Sequence, residues 1–135
     1  MPDPAIIVQA QLDAYNARDI DAFAATFTDD AFAFDLESGT QRFAGKPALR
    51  ERYGAQFRRC PSQRSLVVSR NVVGLYVFDL ELITGTVDDA GRLLEPYTLM
   101  AIYRVRGDSG PGGIAGGGLI DAMWFTPRAG IVPGR

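Results

Sequence analysis

The chain contains no histidine and only one cysteine, Cys60. Lack of histidine excludes Ser-His-Asp and Cys-His nucleophile systems, His-containing zinc sites and imidazole acid–base chemistry together. Proton transfer near neutral pH then falls to carboxylates, with Tyr or Lys in support. A lone cysteine makes no internal disulfide, which fits a reducing, cytoplasmic compartment. With no histidine to activate it, Cys60 reads as a small buried apolar residue. Basic residues are scattered and the formal charge is −2. Nucleic-acid binding needs a clustered basic face, so no such partner is expected. No apolar run approaches the roughly 20 residues that span a bilayer, so no membrane partner is expected either. The opening MPDPAIIVQAQLD has no basic segment followed by an apolar stretch, so it does not read as a signal peptide.

What is present is an ordinary globular composition, 47% hydrophobic and 22% charged over 135 residues. It predicts a single domain over residues 1–126 and a loose Pro- and Gly-rich tail over 127–135. Asp3-Pro4 opens a first helix, with Val8, Leu12 and Tyr15 as its apolar stripe. Asp19 caps a second helix over Ile20–Phe27, and Asp29-Asp30 ends it. Residues 31–36 form a strand whose apolar run, Ala31-Phe32-Ala33-Phe34, delivers the carboxylate of Asp35. Gly45-Lys46-Pro47 starts a third helix with Leu49, Tyr53 and Phe57 on one face, and Cys60-Pro61 stops it.

From Leu66 the hydrophobic period changes to two. Strands are expected over Leu66–Val73, Leu75–Thr86, Leu93–Val105 and Leu119–Thr126, with a hairpin at Asn71–Gly74. Residues 107–118 are glycine-rich. Gly110 to Ala115 formally fits a dinucleotide-binding pattern, but a strand follows where that motif needs a helix, so a long hairpin loop is expected. Three helices and then a run of antiparallel strands predict an α+β fold with helices on one face of a sheet.

Specific segments carry a resemblance. They are Ala14-Tyr15-Asn16-Ala17-Arg18-Asp19-Ile20-Asp21-Ala22-Phe23, Phe27-Thr28-Asp29-Asp30-Ala31 and Phe43-Ala44-Gly45-Lys46-Pro47-Ala48-Leu49-Arg50. Near the end, Ala101-Ile102-Tyr103-Arg104-Val105 and Gly118-Leu119-Ile120-Asp121-Ala122-Met123-Trp124-Phe125 continue it. In this order the chain resembles the nuclear transport factor 2-like superfamily, its SnoaL-like and ketosteroid-isomerase-like branch. The resemblance implies a cone: a curved antiparallel sheet wrapped around a long N-terminal helix, open to an apolar cavity. It also implies a homodimer through the convex face of the sheet. Ketosteroid isomerases use an Asp base with a Tyr and a protonated Asp as oxyanion donors. Asp35 matches the base, whereas Gln11 and Ala101 stand where the two donors would be. Steroid isomerisation is therefore not implied.

The functional readings that stand are three. The first is an acid–base enzyme without metal or organic cofactor, acting on a small apolar molecule with a polar oxygen. Asp35 takes the proton there, and a water-poor pocket strengthens it as a base. Gln11 with Tyr15 or Tyr97 holds the oxygen, and Phe57, Met100, Tyr103 and Trp124 line the cavity. Arg52 either points inward to an acid or outward. Asp79 and Glu81 alternate with Tyr76, Phe78, Leu80 and Leu82 along one strand, and a one-residue slip decides which set faces the cavity. The second reading is a ligand-binding pocket without chemistry. The third is an interaction module whose apolar sheet face meets a partner.

Overall fold

A computed structural model describes residues 3–107 and 118–130. The first helix, α1, spans Pro4–Ala17; its N-cap Asp3 accepts a hydrogen bond from the Ala5 amide, with Pro4 in the first turn. Both features deal with amides that lack a partner at a helix start. Arg18 ends α1 in the left-handed conformation (φ 60°), returning its N–H to the carbonyls of Ala14 and Tyr15. Asp19 accepts from the Ala22 amide and starts α2, Ile20–Ala24. This helix is shorter than expected. Phe27 belongs instead to β1, Phe27–Asp35, because it pairs with Ile120 of the last long strand. Asp29 and Asp30 therefore lie within β1, where the register shifts between Phe27 and Phe32 and the Thr28 hydroxyl donates to Asp30.

β2 (Gln41–Ala44) runs back beside β1 and leads into α3, Lys46–Arg59. Leu49, Tyr53 and Phe57 are the buried residues of α3, at the spacing of its inner face. Then come β3 (Arg64–Val73), β4 (Tyr76–Thr84), β5 (Tyr97–Arg106) and β6 (Leu119–Phe125), each antiparallel to the next. The sheet order is β2-β1-β6-β5-β4-β3. β1 lies parallel to β6, so the curved sheet is mixed rather than antiparallel throughout. Short β7 (Ala129–Gly130) pairs with Tyr97 and Thr98, which ties the first part of the expected loose tail to the sheet. The interior of the expected 107–118 loop and the last residues, 131–135, lie outside the described residues.

α1 lies on one face of the sheet against β3, β4, β5 and β6, while α3 packs on α2, β1 and β2. The core between the layers is aromatic. Phe23 lies 4.6 Å from Tyr53 and 5.7 Å from Phe57, and Tyr15 lies 5.5 Å from Phe57, centroid to centroid. The alternation along β4 is resolved: Val77, Asp79, Glu81 and Ile83 are buried on the helix side, and Tyr76, Phe78, Leu80 and Leu82 take the other face. Two carboxylates thus enter the interior from one strand.

Candidate functional site

Between α1, α3 and the concave sheet face lies a cavity of about 140 Å³. Four of its lining residues, Leu12, Ile83, Leu99 and Phe125, lack polar side-chain atoms. The remainder are polar, so the expected apolar pocket is corrected to a polar one. Gln11, Tyr15, Arg52, Glu81, Tyr97 and Tyr103 all line it, so these sequence candidates are brought together.

Glu81 is the acid of the cavity, 6% exposed. Its Oε1 accepts from the Ser65 hydroxyl at 2.8 Å and its Oε2 from the Tyr103 hydroxyl at 3.0 Å. Burial raises its pKa to about 7; the bonds from Ser65 and Tyr103 oppose that rise and the nearby Asp79 charge adds to it. Burial, together with the Glu81 charge, pushes the Tyr103 phenol well above its ordinary range, so it stays a proton donor. A carboxyl poised near neutrality beside a fixed phenol can take or return a proton under physiological conditions.

A second chain of hydrogen bonds links α1 and α3 to β5. Gln56 donates to the Tyr15 hydroxyl and to Gln63 Oε1, both at 2.8 Å. Gln63 Nε2 donates to Thr86 Oγ1 at 2.7 Å, and the Thr86 and Tyr97 hydroxyls are bonded at 3.0 Å. Asn16 secures α1 to the sheet: its amide donates to the Ser65 carbonyl and accepts from the Ser65 amide. These bonds hold Ser65, and through it Glu81, in place.

Five expected site residues lie elsewhere. Asp35 does not open into the cavity. It faces an open surface recess with Glu37, Ser38 and Pro127, ion-paired with Arg42, and its side chain is 33% exposed. Arg42 and Phe125 line both cavity and recess, and the Arg42 guanidinium sits 4.3 Å over the Phe125 ring. The strand ends where the acid emerges, so Asp35 turns with the chain to the outside. Trp124 is next to inward Met123 and so takes the outer sheet face, 6.3 Å from Phe32 and 6.4 Å from Tyr76. Met100 pairs with outward Leu80 and shares its face. Phe57 is absorbed by the aromatic core. Asp79 is inward but only 1% exposed, and Arg70 engages both its oxygens at 2.7 and 3.0 Å. It is a buried ion pair rather than a cavity wall.

The polar lining residues not anticipated are Arg42, Tyr53, Gln56, Arg59, Gln63, Ser65, Thr86 and Arg128. Some carried a signal. Arg52, Gln56 and Arg59 repeat at i, i+4, i+7 beside the buried stripe of α3, the spacing of one helix face. Gln63 and Thr86 carried none, since both sit in connections.

A model of the SnoaL-like domain matches residues 8–109. The chain belongs to that family. No curated protein matches the chain. Among solved structures, the SnoaL-like domain is similar to an uncharacterized cystatin-fold protein from Novosphingobium aromaticivorans. That match has 28% identity and a TM-score of 0.76, covering 91% of this chain and 97% of the other. A putative polyketide cyclase from Sinorhizobium meliloti matches at 20% identity and TM-score 0.66, over 89% and 93% of the two chains. An LEH-like epoxide hydrolase from M. tuberculosis matches at 15% identity and TM-score 0.69, over 90% and 79%. The last two likenesses, at these identities, are likenesses of fold. Among the described residues of the SnoaL-like domain, no helix is long and apolar enough to cross a membrane.

Proposed function

We propose that this SnoaL-like domain is a cofactor-independent acid–base catalyst acting on a small molecule, with Glu81 as the proton-transferring group. The observation that carries the reading is a buried carboxyl in the wall of a formed cavity, held by two hydroxyl donors and poised near neutral pH. Glu81 takes a proton from a carbon or hydroxyl of the bound molecule. Tyr103 stabilises the carboxylate before the transfer, and Tyr97, Tyr15 and Gln11 offer hydrogen bonds to the oxygen on which charge develops. A fold likeness to a putative cyclase and an epoxide hydrolase is compatible with this chemistry. In place of Asp35, the sequence-based candidate, Glu81 is preferred because it is inside the cavity.

A binding role without chemistry is the second reading, and it rests on one observation: both Glu81 oxygens already accept a hydrogen bond. The two readings separate by solvent-deuterium exchange into a panel of small enolisable carbonyl compounds, followed by NMR. Exchange that falls at least about a hundredfold in Glu81→Gln supports catalysis, since a positioned base contributes about 10²–10⁴-fold. Saturable binding with no exchange beyond the buffer rate supports the binding role and removes the catalytic one.

We further propose that the outer sheet face joins two copies of the chain. Phe78 and Ile102 are paired on it and Trp124 lies beside Ile102, while Leu66, Val68 and Tyr76 are exposed on β3 and β4. An apolar strip of this extent is commonly covered by a partner.

A further inference from the structure

The charge of the cavity wall runs against that of the whole chain. The chain carries a formal −2, yet among the described residues the cavity is lined by four arginines, Arg42, Arg52, Arg59 and Arg128, against the single acid Glu81. Their placement is not uniform. The lining residues that are exposed are Arg52, Arg59 and Arg128, so the solvent end of the cavity is a mouth of guanidinium groups. Among the described residues, Arg52 and Arg128 make no ion pair, and Arg59 reaches only the fully exposed Asp89, at 4.0 Å. Arg52 instead donates to the Arg42 carbonyl, Arg59 to the Val87 carbonyl, and Arg128 lies 4.5 Å over the Tyr97 ring. Arg52 and Arg128 are held by neutral contacts that leave their charge uncompensated, and Arg59 has only a long, solvent-exposed ionic partner.

Among the buried lining residues the unmet need is different. Gln11 is 5% exposed and lines the cavity, and its Oε1 is buried with no hydrogen-bond partner. A buried amide oxygen without a partner is costly, and a ligand group that donates to it is the simplest remedy. A hydroxyl satisfies the amide whichever way it is turned.

We propose that the cavity binds a small hydroxylated carboxylic acid as its anion, the carboxylate among Arg52, Arg59 and Arg128 and the hydroxyl against Gln11. This deepens the catalytic reading of the same cavity and rests on it for the claim that a substrate enters there. A volume of about 140 Å³ is close to that of a cavity that holds one benzene ring. The body of the ligand is therefore a single ring or its equivalent in chain, with the charged end at the mouth. Guanidinium groups suit a carboxylate because their fork of donors matches its two oxygens. A cleft whose mouth carries one sign of charge also concentrates the opposite ion.

The probe pair is 4-hydroxybenzoate and its uncharged isostere 4-hydroxybenzamide, with benzoate as the compound lacking the hydroxyl, measured by calorimetry on the full chain. The acid is expected to bind at least about tenfold tighter than the amide at low salt. Raising the salt from about 20 to about 300 mM should weaken only the acids. The double variant Arg52→Gln/Arg128→Gln should erase the acid-over-amide preference while the amide still binds. Gln11→Leu should remove the advantage of 4-hydroxybenzoate over benzoate. Equal binding of acid and amide, or no saturable binding of any acid, overturns the proposal. Failure of the catalytic reading is distinguishable: an acid preference that persists while exchange is indifferent to Glu81→Gln removes the chemistry and leaves the anion site. Exchange that depends on Glu81 with amides bound as well as acids removes only the anion site.

Discussion

Glu81→Gln should change how the stability of the protein depends on pH, in a direction set by the burial of the carboxyl. In the unfolded chain a glutamate gives up its proton around 4.5, whereas the buried Glu81 keeps its proton up to about 7. Between those values the folded state binds more protons than the unfolded one, so stability falls as pH rises. The contribution is fully present below about 4.5 and is lost once the pH passes about 7. The gap between the two values corresponds to roughly 3 kcal/mol. Glutamine cannot ionise, so the variant lacks this slope. Its amide can still meet Ser65 and Tyr103, whose hydroxyls donate or accept, and any change in those bonds is nearly the same at every pH. Urea unfolding of both proteins at steps from about pH 4.5 to 8 isolates the term. The stability of the wild type minus that of Glu81→Gln should drop by about 3 kcal/mol across the range. A difference that stays flat, or grows with pH, would refute the burial argument.

Other consequences follow from single contacts. Gly85 has φ 78°, and a Cβ there would run into the Ser62 carbonyl and Gln63 Cα; Gly85→Ala should cost about 2 kcal/mol or more, read as a lower urea midpoint. Arg70→Ala leaves the Asp79 carboxylate buried without its partner and should cost about 3 kcal/mol. The double variant Arg70→Ala/Asp79→Leu should recover much of that loss, and no recovery would show that the pair matters through packing instead. Phe78→Arg on the outer face should weaken dimerisation by at least about tenfold in sedimentation velocity, whereas a wild type already monomeric at tens of micromolar would end the dimer proposal.

Much of the architecture was legible because it rests on local rules. Asp3 and Asp19 cap their helices as their position implied, and the four-residue repeat of Leu49, Tyr53 and Phe57 marked the inner face of α3. What local rules missed is long-range pairing. Nothing near Phe27 announces that it will lie beside Ile120, and that pairing shortens α2 and extends β1, while the parallel ladder of Phe32–Asp35 with Ala122–Phe125 makes the sheet mixed. The site was half legible for a related reason. Strand alternation grouped Asp79 with Glu81 and opposed them to Phe78 and Leu80, but the sign of the face depended on register. Asp35 stands out as a carboxylate at the end of an apolar run, yet whether a strand end meets a cavity or solvent depends on residues outside the strand, here Arg42 and Phe125, which line both the cavity and the recess. Gln63 and Thr86 lie in connections, where composition does not tell which side chain turns inward.

The proposed catalysis requires Glu81 to be a buried carboxyl that exchanges its proton near neutrality. Carboxyl-labelled glutamate NMR across a pH series reads it directly, since the chain has four glutamates. One resonance should titrate at about 7 and be missing from Glu81→Gln. A spectrum in which every glutamate titrates below about 6 would mean that burial does not hold the Glu81 proton to neutrality.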